Sequence, residues 1–247
     1  LALKLLAVKE KINIGCCCVN HHLRAAAGKE AEFVEFVCRE WNIPFILKEV
    51  DVQSAVRNGG SIETAARDLR YKALREAARG GGYAKIAVAH HGDDQAETVL
   101  YHLLRGSGVT GLSGMKPING DIIRPFLCVS KNEIKDFLKD FSYVPCHDES
   151  NDVEDAVRNR IRLSLVPELI SYNPRVTESL RRTADIFREE DLFMEEKADV
   201  FISSCVEHDN DKCVFFIAYF LVLHIALQRR VIRKICCMVA GRIPSFE

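Results

Sequence analysis

The sequence predicts an α/β protein: a mostly parallel sheet flanked by helices, followed by a helical region. Three observations predict it. Apolar runs of strand length alternate with amphipathic helical stretches from Ile12 to Leu104. Polar, histidine-bearing stretches follow two of those runs, "NHHLR" (Asn20–Arg24) and "HHGDD" (His90–Asp94). Composition then shifts near Val166-Pro167 towards long helical periodicity. Strands alternating with helices imply βαβ units with right-handed connections, and ligands then sit beyond the carboxyl ends of the strands.

Each element has its own signal. "LALKLLAVKEK" (Leu1–Lys11) has leucines at helical spacing and basic residues at its end, so the chain is expected to begin inside a helix. "INIGCCCVN" (Ile12–Asn20) is a continuous apolar run, as a strand covered on both faces would be. "GKEAEFVEFVCREW" (Gly28–Trp41) is amphipathic and ends before Pro44. "IPFILKEVDV" (Ile43–Val52) reads as a strand. The next helix opens with Ser61 as N-cap and stops at Gly80-Gly81-Gly82. "KIAVAHH" (Lys85–His91) reads as a third strand and Asp93–Leu104 as a third long helix. Further on, Asn173 reads as a cap and Pro174 as the first helical position. Val176, Leu180, Ala184, Phe187, Met194, Ala198, Phe201 and Cys205 then form one apolar stripe. The expected division is a catalytic domain over residues 1–166 and a helical linker or substrate-binding domain over residues 167–247.

Composition narrows the function classes. With 247 residues, 48% of them hydrophobic, the chain can bury a sizeable core. A formal net charge of -1 gives no global basic field, so a nucleic-acid partner needs local Lys/Arg patches. The densest are "LQRRVIRK" (Leu227–Lys234) and Arg175, Arg181 and Arg182. The ten cysteines include Cys16-Cys17-Cys18 and Cys236-Cys237 but no C-x-x-C pair. They read as small apolar residues of a reduced cytoplasmic protein. The apolar run "CVFFIAYFLVLHIAL" (Cys213–Leu227) is too short to span a bilayer and reads as a buried helix or an interface.

The chemistry concentrates where the third strand ends. Asp93, Asp94 and Glu97 share one helical face. Carboxylates at a strand end suit Mg²⁺ beside nucleotide phosphates. His90 and His91 could touch a substrate or a phosphate. The plainer reading is that acidic residues favour the first helical turn through the helix dipole. "LLRGSGVTGLSGM" (Leu103–Met115) carries four glycines, which permit close backbone approach to phosphate or form a loop after a helix. In "CHDESNDVEDAVRNRIRLSLVPEL" (Cys146–Leu169), Arg158 and Arg162 lie one turn apart and could grip phosphate, or form a solvated face. Glu63, Arg67, Arg70 and Tyr71 present the same choice between helix support and contact with a carboxylate or base.

Taken in order, these motifs resemble one family, tRNA(Ile)-lysidine synthetase, of the N-type ATP-pyrophosphatase (PP-loop) group. "VNHHLR" (Val19–Arg24) resembles its V-D-H-G-L-R. "HHGDDQAETVLYHLLRGSG" (His90–Gly108) is similar almost residue for residue to its H-H-x-D-D-Q-A-E-T-x-L-x-R-L-L-R-G-S-G. "IRPFLCVSKNEIKDFL" (Ile123–Leu138) resembles its R-P-L-L segment, "DESNDVEDAVRNRIR" (Asp148–Arg162) its D-x-S-N-x-D…R-N-x-I-R run, and "LQRRVIR" (Leu227–Arg233) its L-Q-R-R-x-I/L-R. The resemblance implies a Rossmann-like parallel sheet with helices on both faces, of the adenine nucleotide alpha hydrolase type, followed by a helical domain. It implies ATP and Mg²⁺ as cofactors. The implied reaction is a ligation forming a carbon–nitrogen bond: ATP adenylylates the wobble cytidine of a minor isoleucine tRNA, free L-lysine attacks C2, and AMP leaves. Expected partners are tRNA(Ile) with a CAU anticodon and L-lysine, with no membrane; a homodimer is compatible with the sequence.

Carried over by motif, Asp93, Asp94, His90 and His91 are the implied catalytic residues, with Asp93 and Asp94 as metal ligands. Asn20, His21, Arg105, Gly106 and Gly108 would serve the nucleotide. Glu63, Arg67, Arg70 and Tyr71 would contact lysine or the base, and Asp148, Arg158, Asn159 and Arg162 would order the active edge near the tRNA. Two departures stand out. The family's Ser-Gly-Gly-x-Asp-Ser loop is not in the sequence and is expected just upstream of "LALKLL", with a central strand. Asn20 stands where the family has Asp, which removes a negative charge from the active edge. Three rivals remain: a tRNA thiolase of the same group, which would need C-x-x-C cluster ligands; a non-catalytic tRNA-binding remnant; and a zinc hydrolase using His90, His91 and Asp93.

Overall fold

The computed structural model describes residues 1–22, 27–56, 62–141, 157–209 and 212–240. These fall into two compact units. The first comprises Leu1–His90, Pro117–Phe126 and the described part of residues 133–148. The second comprises His91–Lys116, Leu127–Asn132 and the described residues from 157 onward.

The first unit is α/β. Helix α1 (Ala2–Glu10) leads to strand β1 (Cys16–Asn20), helix α2 (Ala27–Glu40) and strand β2 (Phe45–Glu49). β1 and β2 pair in parallel, with Cys16 opposite Phe45 and Asn20 opposite Glu49. α2 presents Ala31 and Cys38, seven residues apart, as its buried stripe. It stops where Asn42 turns left-handed at φ 57° and Ile43 N–H returns to the Cys38 carbonyl, ahead of Pro44. After the short α3 (Val52–Val56), α4 (Ile62–Gly80) buries Ala73 and Ala77 and ends at Gly82, whose φ is +70°. α2 and α4 both pack on β1 and β2.

Strand β3 (Ile86–Ala87) pairs in parallel with β5 (Ile122–Ile123), which pairs antiparallel with β4 (Ile118–Asn119) through a turn at Gly120. The expected strand over Lys85–His91 is thus paired at only two positions, because β5 is only two residues long. Residues of β1 and β3 line a common cavity of about 450 Å³, with Leu74 and Ala77 of α4 in its wall. Cys16 and Cys17 border this interior. Burial, with Cys38 beside it, pushes the Cys16 thiol up to about 12, so it stays uncharged and serves as apolar packing.

The second unit is mostly helical. It contains α5 (Gly92–Leu104), α6 (Val109–Leu112), α8 (Val157–Arg160), a π-helical turn (Ile161–Leu165), α9 (Val166–Tyr172) and α10 (Val176–Cys205). The hairpin of β6 (Val206–Asp209) and β7 (Lys212–Phe215) follows, then α11 (Ile217–Leu221) and α12 (Ile225–Ala240). Helix α7 (Lys131–Asp140) begins in this unit. The π turn has a local cause. Pro167 offers no N–H and its ring crowds the carbonyl four residues back, so the helix widens just before it.

α10 follows the predicted stripe and ends at Cys205 as its last apolar member. It starts two residues after Pro174, because Asn173 Oδ1 accepts the Arg175 N–H and holds that segment in a turn. Ala198 and Phe201 meet Val231 and Ile235 of α12 in the core, joined by Phe215 and Phe220. The run Cys213–Leu227 is therefore not one helix. Its first residues pair as β7, and Phe216 and Val222 are left 77% and 82% exposed.

Charge is buried here as well. The Glu195 carboxylate accepts from Arg230 and Lys234. Burial pushes its pKa up, but the two cations outweigh burial and hold it below the ordinary 4.5. A carboxylate with a depressed folded pKa stabilises the chain above its unfolded pKa and loses that contribution as pH falls through the folded value. Melting temperature should therefore fall with acidification below about pH 4.5, and Glu195→Gln should flatten part of that slope in a pH series of thermal melts.

Candidate active site

The head of α5 is built by a capping box. His91 is the N-cap: its ring accepts from the Asp94 N–H at 3.4 Å, while the Asp94 carboxylate accepts from the His91 N–H at 2.9 Å. The His91 ring also lies between the two carboxylates, with Nδ1 3.5 Å from Asp93 Oδ2 and Nε2 3.5 Å from Asp94 Oδ2. The helix-dipole reading of these acidic residues thus holds as local structure.

Beyond the cap, the two aspartates diverge. Asp93 points one oxygen at the Lys131 N–H, 2.7 Å away, and its side chain is 34% exposed. Its other oxygen takes no hydrogen bond among the described residues. Asp94 is 12% exposed and fully engaged. Its Oδ1 accepts from Arg162 at 3.0 Å and Arg158 at 3.5 Å. Glu97, one turn on and 4% exposed, receives Arg162 bidentately at 2.7 and 3.0 Å, and Arg158 at 3.3 Å. Hydrogen bonding to Glu97 outweighs burial and raises the Arg162 pKa further. Two carboxylates and two guanidiniums thus close a nearly neutral cluster, and Asn159 lies between the arginines on α8. Arg158 and Arg162 reach carboxylates from a distant stretch of chain, which is neither the phosphate grip nor the solvated face that spacing suggests.

Gln95, on the next position of α5, is 2% exposed. Its amide donates to the carbonyls of Ser113 and Met115, and its oxygen accepts the Met115 N–H at 2.8 Å. It thereby anchors the end of the glycine-rich loop, where Gly114 turns at φ +63° against the Gln95 side chain. Gln95→Ala should cost about 2 kcal/mol, since it strands the carbonyl of buried Ser113 and the part-buried Met115 N–H. Thermal unfolding reads this, and an unchanged midpoint would contradict it.

Arg105, Gly106 and Gly108 lie at the other end of α5. Arg105 follows Asp94 by eleven residues of helix, a distance of roughly 17 Å at about 1.5 Å per residue. The structure does not bring them into the carboxylate cluster. Arg105 instead stacks on Tyr101 and donates to its hydroxyl at 2.5 Å.

The first unit gathers a second set at the end of β1. Asn20 Oδ1 accepts the His22 N–H at 2.9 Å, which supports the left-handed turn there. Burial, and then the nearby Arg70 charge, lower the His21 pKa, so its ring favours the neutral form. The guanidiniums of Arg67 and Arg70 lie 5.2 and 5.4 Å from the Tyr71 ring. The Tyr71 hydroxyl is buried with no hydrogen-bond partner among the described residues. Glu63 lies on α4, with its side chain outside the described residues, as Asp148 is entirely. His90 follows β3 as the last residue of this segment of the first unit.

The donors allow a limited test of metal binding. Among the described residues no three His, Cys, Asp or Glu side chains converge to hold a metal. Mg²⁺ needs fewer protein ligands, commonly one or two carboxylates beside phosphates. Asp93, with an open oxygen, fits that demand. Asp94 would have to exchange Arg162 for the cation.

A parallel α/β unit with polar residues at a strand end, joined in sequence to a carboxylate-headed helix, defines a nucleotide-handling class of fold. The chain belongs to the PP-loop domain family, whose model matches residues 1–169. It is 38% identical to a tRNA(Ile)-lysidine synthase of Caldanaerobacter subterraneus, over 93% of this chain and 50% of that protein. It is 34% identical to a tRNA(Ile)-lysidine synthase of Thermotoga maritima, over 96% of this chain and 56% of that protein. The chain thus spans about half the length of the curated relatives it matches. Among solved structures, the U34-tRNA thiolase NcsA of Methanococcus maripaludis with its 4Fe-4S cluster matches at TM-score 0.59 and 17% identity. That match covers 76% of this chain and 68% of the thiolase, and it shows a shared fold: the parallel α/β architecture with helices on both faces.

Proposed function

We propose that the protein ligates L-lysine to the wobble cytidine of an isoleucine tRNA with a CAU anticodon, using ATP and releasing AMP and diphosphate. The observation that carries this reading is the 38% identity to a tRNA(Ile)-lysidine synthase across 93% of the chain. In this reading residues 1–166 form the catalytic domain and residues 167–247 a helical, substrate-binding part.

The chemistry sets clear demands. The C2 oxygen of cytidine is a poor leaving group until it becomes an AMP ester. The activated base must be shielded from water, and lysine must present an uncharged amine. An anticodon base is read by splaying it from its stack and contacting its edge and face. Asp93 would hold Mg²⁺ together with the ATP phosphates, and the cation would neutralise charge on the departing diphosphate. Asp94 and Glu97, held by Arg158 and Arg162, keep the head of α5 rigid around Asp93. Asn20 and His21 serve the nucleotide. Arg67, Arg70 and Tyr71, with Glu63, serve lysine or the base. The unpartnered Tyr71 hydroxyl supports that role, since a buried polar atom demands a partner.

The test uses the full natural protein with ATP, Mg²⁺, labelled lysine and tRNA(Ile). ATP-dependent label in acid-insoluble tRNA supports the reading. AMP release without lysine transfer points to another nucleophile.

A further inference from the structure

The basic residues of α12 divide into two sets. Arg230 and Lys234, one turn apart, face α10 and are neutralised there. Arg230 donates to Asp191 at 2.6 Å and Glu195 at 2.5 Å, and Lys234 pairs with Glu195 and Asp199 at 2.6 Å each. Arg229 and Arg233, also one turn apart, lie on an adjacent face and have no carboxylate partner among the described residues. Arg233 reaches the glycine-rich loop instead, donating to the Thr110 hydroxyl at 3.1 Å. That loop begins at Arg105, an exposed cation stacked on Tyr101.

Asp191 locks the arrangement. It lies on the stripe of α10, seven residues from both Ala184 and Ala198, and is 4% exposed. Its Oδ1 accepts from both Thr110, at 2.7 Å, and Arg230. Burying this pair strips water from both ions, and an apolar pair would pack there as well. What the ion pair supplies is geometry, since it fixes α6 and the loop before it against α10 and α12.

We propose that Arg105, Arg229 and Arg233 form an RNA-backbone contact surface, held in register by the Thr110–Asp191–Arg230 latch. This rests on the tRNA reading above. Arg105 lies eleven residues beyond Asp94 and eight beyond Glu97 along α5, roughly 17 and 12 Å. A tRNA whose target base is at the cluster reaches well beyond that distance. Guanidiniums with no carboxylate partner among the described residues suit phosphates, and Arg105 beside the Tyr101 ring suits an unstacked base.

The experiment measures tRNA binding by the full natural protein across a salt series, beside the Michaelis constant for ATP. Arg229→Ala and Arg105→Ala should each weaken tRNA binding several-fold and shallow the salt slope by about one. In Arg229→Ala the Michaelis constant for ATP should stay unchanged. Thr110→Val should weaken tRNA binding and speed amide exchange over residues 105–112, and Thr110→Ser should restore both. Wild-type tRNA affinity and salt slope in both arginine variants would overturn the proposal. A raised ATP constant in Arg105→Ala with unaltered tRNA binding would also overturn it, and would make the loop a nucleotide contact. If the unaltered protein binds tRNA yet attaches no lysine, the proposed reaction fails while the salt slopes still decide the surface.

Discussion

Asp93→Asn lowers ATP-dependent lysine transfer by at least about 100-fold, the scale of losing one charge-stabilising group in a preorganised site. Asn keeps an oxygen to accept the Lys131 N–H, so the start of α7 stays anchored. What it removes is the negative charge on the one carboxylate of the cluster with an open oxygen. The melting temperature should move little. Asp94→Asn is the informative contrast. Asp94 is tied into the cap and to both arginines, so that variant should lose activity and stability together. Initial rates and thermal melts of the two variants separate the roles. Near-normal transfer by Asp93→Asn removes it from the chemistry.

Glu97→Ala destabilises the protein by about 3 kcal/mol. The change removes the Glu97 carboxylate from both Arg158 and Arg162, and breaking a buried pair by deleting one partner costs about 3–5 kcal/mol. The lower end applies because Arg158 is about a third exposed, which screens it. For a chain of this size the melting temperature should fall by roughly 6–12 °C. Glu97→Gln should cost less, since the amide oxygen still accepts from one guanidinium. A midpoint within about 2 °C of wild type for Glu97→Ala would mean that the arginines rearrange to other partners.

Much of this fold is legible in the residues. The parallel pairing of β1 with β2 follows from two apolar runs separated by an amphipathic helix. α10 follows from its stripe, and its end at Cys205 coincides with the last apolar member. What escapes is tertiary. β4 and β5 are two residues each, too short for any periodicity, although the Asn119-Gly120 pair is a hairpin signal. Gln95 reads as a surface residue until Met115 folds back onto it. Asp191 could have been found, because it sits at a stripe position where an apolar residue is expected, and a charge there demands a partner.

The candidate site is legible in a different sense. The His90–Gly108 motif selects the right region, but spacing does not reveal how the two aspartates differ. That difference comes from Lys131 on one side and Arg158 and Arg162 on the other, all distant in sequence. Nor does composition reveal that Arg230 and Lys234 are neutralised while Arg229 and Arg233 have no carboxylate partner among the described residues.

The most direct test of the central claim is the chemical identity of the product. tRNA(Ile) treated with the full natural protein, ATP, Mg²⁺ and lysine would be digested to nucleosides and weighed by mass spectrometry. The account predicts that the wobble cytidine is replaced by a cytidine carrying lysine at C2. An unaltered cytidine, or one carrying sulfur, from protein that still converts ATP to AMP would contradict it.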